Sequence, residues 1–201
     1  MPFHKTLIAF AAGSFVLLPG CVSIGAGGEP PTVLLTLSSE KSVADNDERR
    51  TGDGQPLVVN FPATPRLLDS LRIPVQVNDT SVAYVKQAFW ADKPSRLFHA
   101  LLKESLTAKT GRLVLPADEA KSGESMILSG TLTEFGYDTA SLRAIATYDA
   151  LLRSPDGQVT SKRFRASSPV SAVEPQIVGS ALNKAANIIA ADVSNWVEGR
   201  L

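Results

Sequence analysis

Residues 142–153 hold the pattern that most restricts the fold. Leu142, Ala144, Ala146, Tyr148, Ala150 and Leu152 recur at every second position, and Arg143, Thr147, Asp149 and Arg153 fall between them. A strand turns successive side chains to opposite faces, so this spacing predicts a long strand with one apolar and one polar face. Ser154-Pro155-Asp156-Gly157 follows, with the residues that a tight turn needs. The more polar residues 158–166, with Lys162, Arg163 and Arg165, return as the second arm of a hairpin. The apolar face needs a cover, and two helical segments can supply it.

The first opens at Asp92, which can cap a helix, with Pro94 in the first turn, where a missing N–H costs nothing. Leu97, Leu101, Leu102 and Leu106 form its stripe with Phe98 beside them, Lys103, Glu104 and Lys109 face water, and Gly111 closes it in the left-handed cap position. The second runs from Pro175 to about Val197, with Val178, Leu182, Ala185, Ile189, Val193 and Trp196 as its stripe. Gly179, Ala181, Ala186 and Ala190 widen that face and let it lie close on a sheet. Shorter strands are expected at 32–37, 57–61, 71–77, 81–85, 113–115 and 126–135. Pro74 cannot donate to a ladder and so confines the third of these to an edge or to its first residues, with 78–80 as the turn that follows. Residues 38–55 are polar and charged, a solvated loop long enough to suggest either function or disorder. The expectation is a single α/β domain of α+β character over residues 32–201, two main helices packed on a largely antiparallel mixed sheet.

The N-terminus is organised differently. After Lys5, residues 7–18 are apolar except for Gly13 and Ser14. A bilayer span needs roughly 20 apolar residues, whereas about 7 to 15 suffice for the core of a secretory signal. The run ends in Leu18-Pro19-Gly20-Cys21, which resembles the bacterial lipobox, although Pro19 replaces the usual Ala, Ser, Thr or Val. In lipoproteins of that kind the cysteine thiol is made a diacylglycerol thioether, the chain is cut before it, and the new amino group is usually acylated. Residues 1–20 then read as the signal peptide and Cys21 as the lipidation site. Cys21 is the only cysteine, so it has no disulfide partner within the chain. Two or more acyl chains hold to a membrane at about 0.8 kcal/mol per buried methylene, which makes a stable anchor. Val22, rather than the Asp of the enteric inner-membrane retention signal, favours the outer membrane, facing the periplasm, over the outer leaflet of the inner membrane. Residues 22–31 form a Gly/Pro tether whose ten residues reach at most about 35 Å.

Charge and residue inventory narrow the function. Lys and Arg number 20 against 20 Asp and Glu, and the leader removes only Lys5 from that balance, so a nucleic-acid binder with a basic stripe is disfavoured. Beyond the leader the one histidine is His99, read as a surface or boundary residue, with no second His or further Cys for a zinc site or a Cys–His pair. Ser38-Ser39-Glu40-Lys41 and Lys109-Thr110-Gly111 match two signatures of penicillin-recognising enzymes, but the Ser-Asp-Asn between them and the required element types are missing. Gly25-Ala26-Gly27-Gly28 lies in the tether, without the strand before and helix after that a phosphate loop needs. No catalytic, cofactor or metal residues are therefore assigned, and the chain is not expected to be an enzyme. Phe89 and Trp90 are core residues by default and otherwise the candidate partner contacts, since Trp is favoured at binding hot spots.

After the lipobox come Arg72-Ile73, Ala83-Tyr84 and Phe89-Trp90-Ala91-Asp92-Lys93-Pro94, then the Leu-rich helix, a Gly-bearing strand, the long hairpin and a C-terminal helix. This order resembles the ABC-type transport auxiliary lipoprotein family over roughly residues 32–198. The resemblance implies an accessory lipoprotein without chemistry of its own. Its partners would be a mammalian-cell-entry (MCE) domain protein and, through it, an ABC permease and ATPase that move phospholipid or other hydrophobic molecules between membranes. Membrane contact would come through the lipid anchor, and a homo-oligomer stays open. A structural or assembly lipoprotein recruiting an envelope machine unrelated to lipid is the alternative from a different class. A periplasmic hydrolase finds little support in the residues.

Overall fold

The alternating apolar residues around Tyr148 lie in the middle strand of an antiparallel meander. The computed structural model describes residues 33–50, 54–119 and 125–201. Within them β5 (Met126–Asp138), β6 (Arg143–Arg153) and β7 (Val159–Pro169) pair in sequence order. On the other side of β5 two short parallel pairings share one edge. β1 (Leu57–Val59) joins its start and β2 (Arg72–Asn78) its end. β3 (Ser81–Phe89) is antiparallel to β2, and β4 (Val114–Leu115) is parallel to β1. The long pairings are thus antiparallel and the short ones parallel, in one seven-stranded mixed sheet.

Ala144, Ala146, Tyr148, Ala150 and Leu152 of β6 are all buried, beneath α1 (Pro94–Thr110) and α2 (Pro175–Glu198). Phe98 meets the Tyr148 ring edge-on with centroids 5.3 Å apart, and Trp196 meets Phe164 at 5.6 Å. The α2 stripe Val178, Leu182, Ala185, Ile189 and Val193 is wholly enclosed. Each of its larger side chains contributes about 1.5–3 kcal/mol relative to exposure. The two helices touch through a Ser105–Ser194 hydroxyl pair at 3.1 Å, and Ser194 also donates back to the Ala190 carbonyl at 2.7 Å. Gly111 closes α1 in the left-handed conformation, its N–H donating to the Thr107 carbonyl at 3.0 Å.

Several expectations are corrected. Of the strand expected at 32–37, the described residues 33–37 make one bridge, where Leu35 N–H donates to the Phe89 carbonyl at 2.8 Å and its carbonyl accepts from Ala91 at 2.7 Å. The chain then leaves the sheet for the helices. Ser38 N–H donates to Asn183 Oδ1 (2.9 Å), Glu40 N–H to Asn187 Oδ1 (2.8 Å) and Val43 N–H to Glu104 Oε1 (2.7 Å), and Asn187 Nδ2 donates to the Ser38 carbonyl (2.8 Å). The first part of the expected solvated loop is therefore a strap pinned by an i,i+4 asparagine pair. A methyl on Gly179 would come within 2.9 Å of Leu35, so α2 has a glycine where the strap crosses it.

Of the two places open to Pro74, an edge or a strand's first residues, it takes the second, as the third residue of β2, which lies between β3 and β5. Its missing donor is tolerated because pairing with β5 begins only at Val75, and the β2–β3 register slips between Arg72 and Pro74. Asp92 does not cap α1. Lys93 holds the cap position, and the Asp92 carboxylate accepts the Lys93 N–H at 2.7 Å and faces Arg96 at 3.9 Å. Leu142 leaves the apolar face of β6 for the β5–β6 turn, at φ 56° and 59% exposed.

Candidate functional site

With both helices on one face, the other face of β5–β7 is open to solvent. A bulge between Leu132 and Glu134 reverses the alternation of β5, so that Phe135 and Tyr137 turn toward the helices and Glu134 toward the open face. Polar side chains tie the strands together there. Arg163 holds Asp149 by two parallel bonds of 2.6 and 2.7 Å. Glu134 accepts from the buried Thr147 hydroxyl and from Arg165 Nε at 3.3 Å. Arg143 reaches across β7 to Ser167, with 2.7 Å to its hydroxyl and 3.0 Å to its carbonyl. The Arg163 hydrogen bonds hold the Asp149 carboxyl below the ordinary carboxylate range. The Ser141 hydroxyl and N–H do the same for Asp138 in the β5–β6 turn. These pairs are exposed, so they order the surface more than they stabilise the fold.

A groove of about 290 Å³ crosses this face, with Leu67, Pro74 and Ile145 as apolar walls and Gln76, Glu134 and Arg165 at its polar rim. Gly136 belongs to the same wall, and a Cβ there would fall 2.6 Å from the Pro74 carbonyl oxygen, so glycine is what lets β2 approach β5. Sequence reasoning missed Glu134 and Arg165 as neighbours, because only the bulge puts them on one face.

The candidate residues from the sequence go to other places. Trp90 is 0% exposed and stacks on Phe135 with centroids 5.4 Å apart, the core position expected for it by default. Phe89 beside it is half-buried. Cys21 lies outside the described residues. His99 is half-buried. Its Nε2 pairs with the Val59 carbonyl at 2.8 Å, and its ring packs on Phe61, 65% exposed, with centroids 4.0 Å apart. Burial lowers its pKa below the ordinary histidine value, against the Val59 hydrogen bond, which raises it. The two penicillin-enzyme matches fall on the strap and at the end of α1. Among the described residues no group of His, Cys, Asp or Glu is placed to hold a metal ion, and no helix is long and apolar enough to cross a membrane. What the open face can offer is recognition: a rigid polar sheet surface with an apolar groove.

Comparison with solved structures gives the same fold in protein XCC0632 from Xanthomonas campestris. The identity is 19%, with 84% of this chain and 97% of that chain covered and a TM-score of 0.69. An uncharacterised protein of known crystal structure matches at 16% identity, covering 71% of this chain and 92% of its own, with a TM-score of 0.63. No curated protein sequence matches. The profile of the family described as ABC-type transport auxiliary lipoprotein component matches residues 35–194, from the Leu35 bridge to the last turns of α2. The chain belongs to that family.

Proposed function

We propose that this chain is a lipoprotein anchored through Cys21 to the outer membrane and facing the periplasm. There it serves as a non-catalytic accessory subunit of an ABC transport system that works with an MCE-domain protein. The cargo would be phospholipid or another hydrophobic molecule, and the ATP would be hydrolysed by a separate subunit. The family match over residues 35–194 is the observation that carries this reading. The lipobox-like stretch at the only cysteine supports the anchor, and Val22 after it supports the outer over the inner membrane. The solvent-facing side of β5–β7 leaves the domain a surface for a protein partner.

The direct test is co-purification of the detergent-solubilised full chain with a purified MCE-domain protein at micromolar concentration and low salt. The expected result is a complex of fixed stoichiometry, whose mass also reports whether the chain self-associates. A folded chain that gives no complex would move the assignment to an assembly lipoprotein serving another envelope machine.

A further inference from the structure

We propose that the free edge of β7 accepts an extended strand from a partner protein, one with apolar residues four apart and acidic residues between them. β7 has 11 residues and pairs only with β6 among the described residues. Its register runs from Arg153↔Val159 to Arg143↔Pro169 without a shift. Val170 N–H donates to the Leu142 carbonyl at 3.1 Å, and Ser154 N–H donates to the Gln158 carbonyl at 2.9 Å. These two bonds set the phase of the ladder. Even-numbered β7 residues bond to β6, and the odd-numbered ones aim N–H and C=O outward. Pro169 agrees with this, because its missing N–H falls on the outward side. The Ser167 carbonyl is already taken by Arg143. The outward groups of Val159, Ser161, Arg163 and Arg165 remain available.

Long flat edges are usually blunted by charged side chains, bulges, prolines or covering segments. The opposite edge of the sheet is treated that way. β3 slips register twice against β2, has Gln87 at φ 53°, and is followed by Trp90, which the Leu35 bridge covers. Over residues 159–168 β7 has no bulge or proline and, among the described residues, no covering strand; its protection is charge alone, Lys162, Arg163 and Arg165, which repels a basic strand and not an acidic one.

Two grooves lie between β7 and α2. One, about 530 Å³ and mostly polar, is lined by residues 162–165 of β7 and by Asp192, Asn195 and Trp196. The other, about 350 Å³, is lined by Ser168, Ile177, Ala181 and Lys184. Phe164 and Ser168 are four residues apart on the helix-facing side. A strand added outside β7 would set every second side chain on that side, so residues i and i+4, about 13 Å apart, would reach the two grooves.

Charge decides the rest of the occupant. Lys162 lies over the Phe164 ring at 4.9 Å and Lys184 is exposed, and neither has an ion-pair partner among the described residues. Arg163 and Arg165 border the larger groove and send their guanidinium groups to Asp149 and Glu134. Asp192 is the one acid lining the grooves. A second copy of this chain fits poorly, since two-fold pairing of 159–169 puts Arg163 of each copy opposite Arg165 of the other, and like charges directly opposite are destabilising. The chain's own residues 22–31 hold four glycine or proline positions in their last six, a poor strand.

The test is hydrogen exchange on the full chain in detergent, with a nine-residue synthetic peptide as probe. It has Leu at its third and seventh positions, Glu at the fifth, between them on the side of Lys162 and Lys184, and at the even positions, and Thr at the first and ninth. Alone, the chain should exchange Ser161, Arg163 and Arg165 amides fast and Phe164 and Ala166 amides slowly. The peptide should slow the first set about tenfold or more and leave the second set unchanged. Ser161→Pro removes an outward N–H without touching a β6 bond, so it should weaken binding about tenfold while Phe164 and Ala166 stay slow. Lys162→Glu with Lys184→Glu should weaken it in a chain with an intact edge. The proposal is overturned if millimolar peptide leaves Arg163 and Arg165 fast, or if a Lys-for-Glu peptide protects them equally. It is also overturned if those amides are slow in the dilute chain alone, or become slow on concentrating it, which would assign the edge to a second copy.

Discussion

At His99 two forces act on one imidazole. Desolvation favours the neutral ring and dominates, while the Val59 carbonyl, accepting from Nε2–H, favours the charged one. The folded-state pKa is therefore below the unfolded value of 6.5. A depressed pKa contributes stability above the unfolded value and loses it as pH falls toward the folded one. Thermal unfolding should show the wild-type chain losing stability between pH 7 and 5 faster than His99→Gln, which keeps a donor but does not titrate. Parallel curves for the two would mean that His99 titrates normally. Trp90 tests a different point. Its ring is enclosed and stacked on Phe135, so Trp90→Ala should cost about 3–5 kcal/mol through lost burial and a residual cavity. A variant as stable as wild type in denaturant unfolding, but unable to bind a partner, would favour the partner-contact role that the sequence left open for it.

Among elements, the strap over the helices depends on few bonds. Asn187 alone serves both the Ser38 carbonyl and the Glu40 N–H, at 2.8 Å each. Asn187→Ala should free residues 38–43, seen as faster proteolysis there and a loss of about 1–2 kcal/mol. An unchanged cleavage pattern would show that Glu104 and Leu35 hold the strap without it. This strap also marks where the sequence stopped being informative. Both helices and the β6–β7 hairpin were legible because their periodicities, 3.6 and 2, extend over many residues and local chemistry closes each end, as at Gly111 and at Ser154–Gly157. The strap has no period. Its conformation is set by Asn183 and Asn187, more than a hundred positions away. The rule for proline left Pro74 an edge or a strand's first residues, and it is the third residue of β2, which pairs with β5 only past it. The bulge at Leu132–Glu134 shows in the sequence only as a shift of the apolar residues from even positions (Leu128, Leu132) to odd ones (Phe135, Tyr137), and without that shift the Glu134–Arg165 side of the groove stays hidden.

For the whole molecule the open question is how a binding domain and an anchor divide the work. The domain's contacts would supply specificity, and the lipid at Cys21 would supply local concentration, since linking two binding events makes the second effectively intramolecular. The two contributions separate by mutation. Cys21→Ala should abolish incorporation of a labelled fatty acid, because no other cysteine is present to take a thioether. The same variant should keep the affinity of the folded domain for its partner in solution and lose function in cells. Lengthening residues 22–31 with a Gly/Ser insert should be tolerated, because the effective concentration falls only slowly as a flexible linker grows. Undiminished label on Cys21→Ala would rule out the lipobox. Full function in cells with no label would show that the domain's own contacts localise it, and the anchor would then be dispensable for transport.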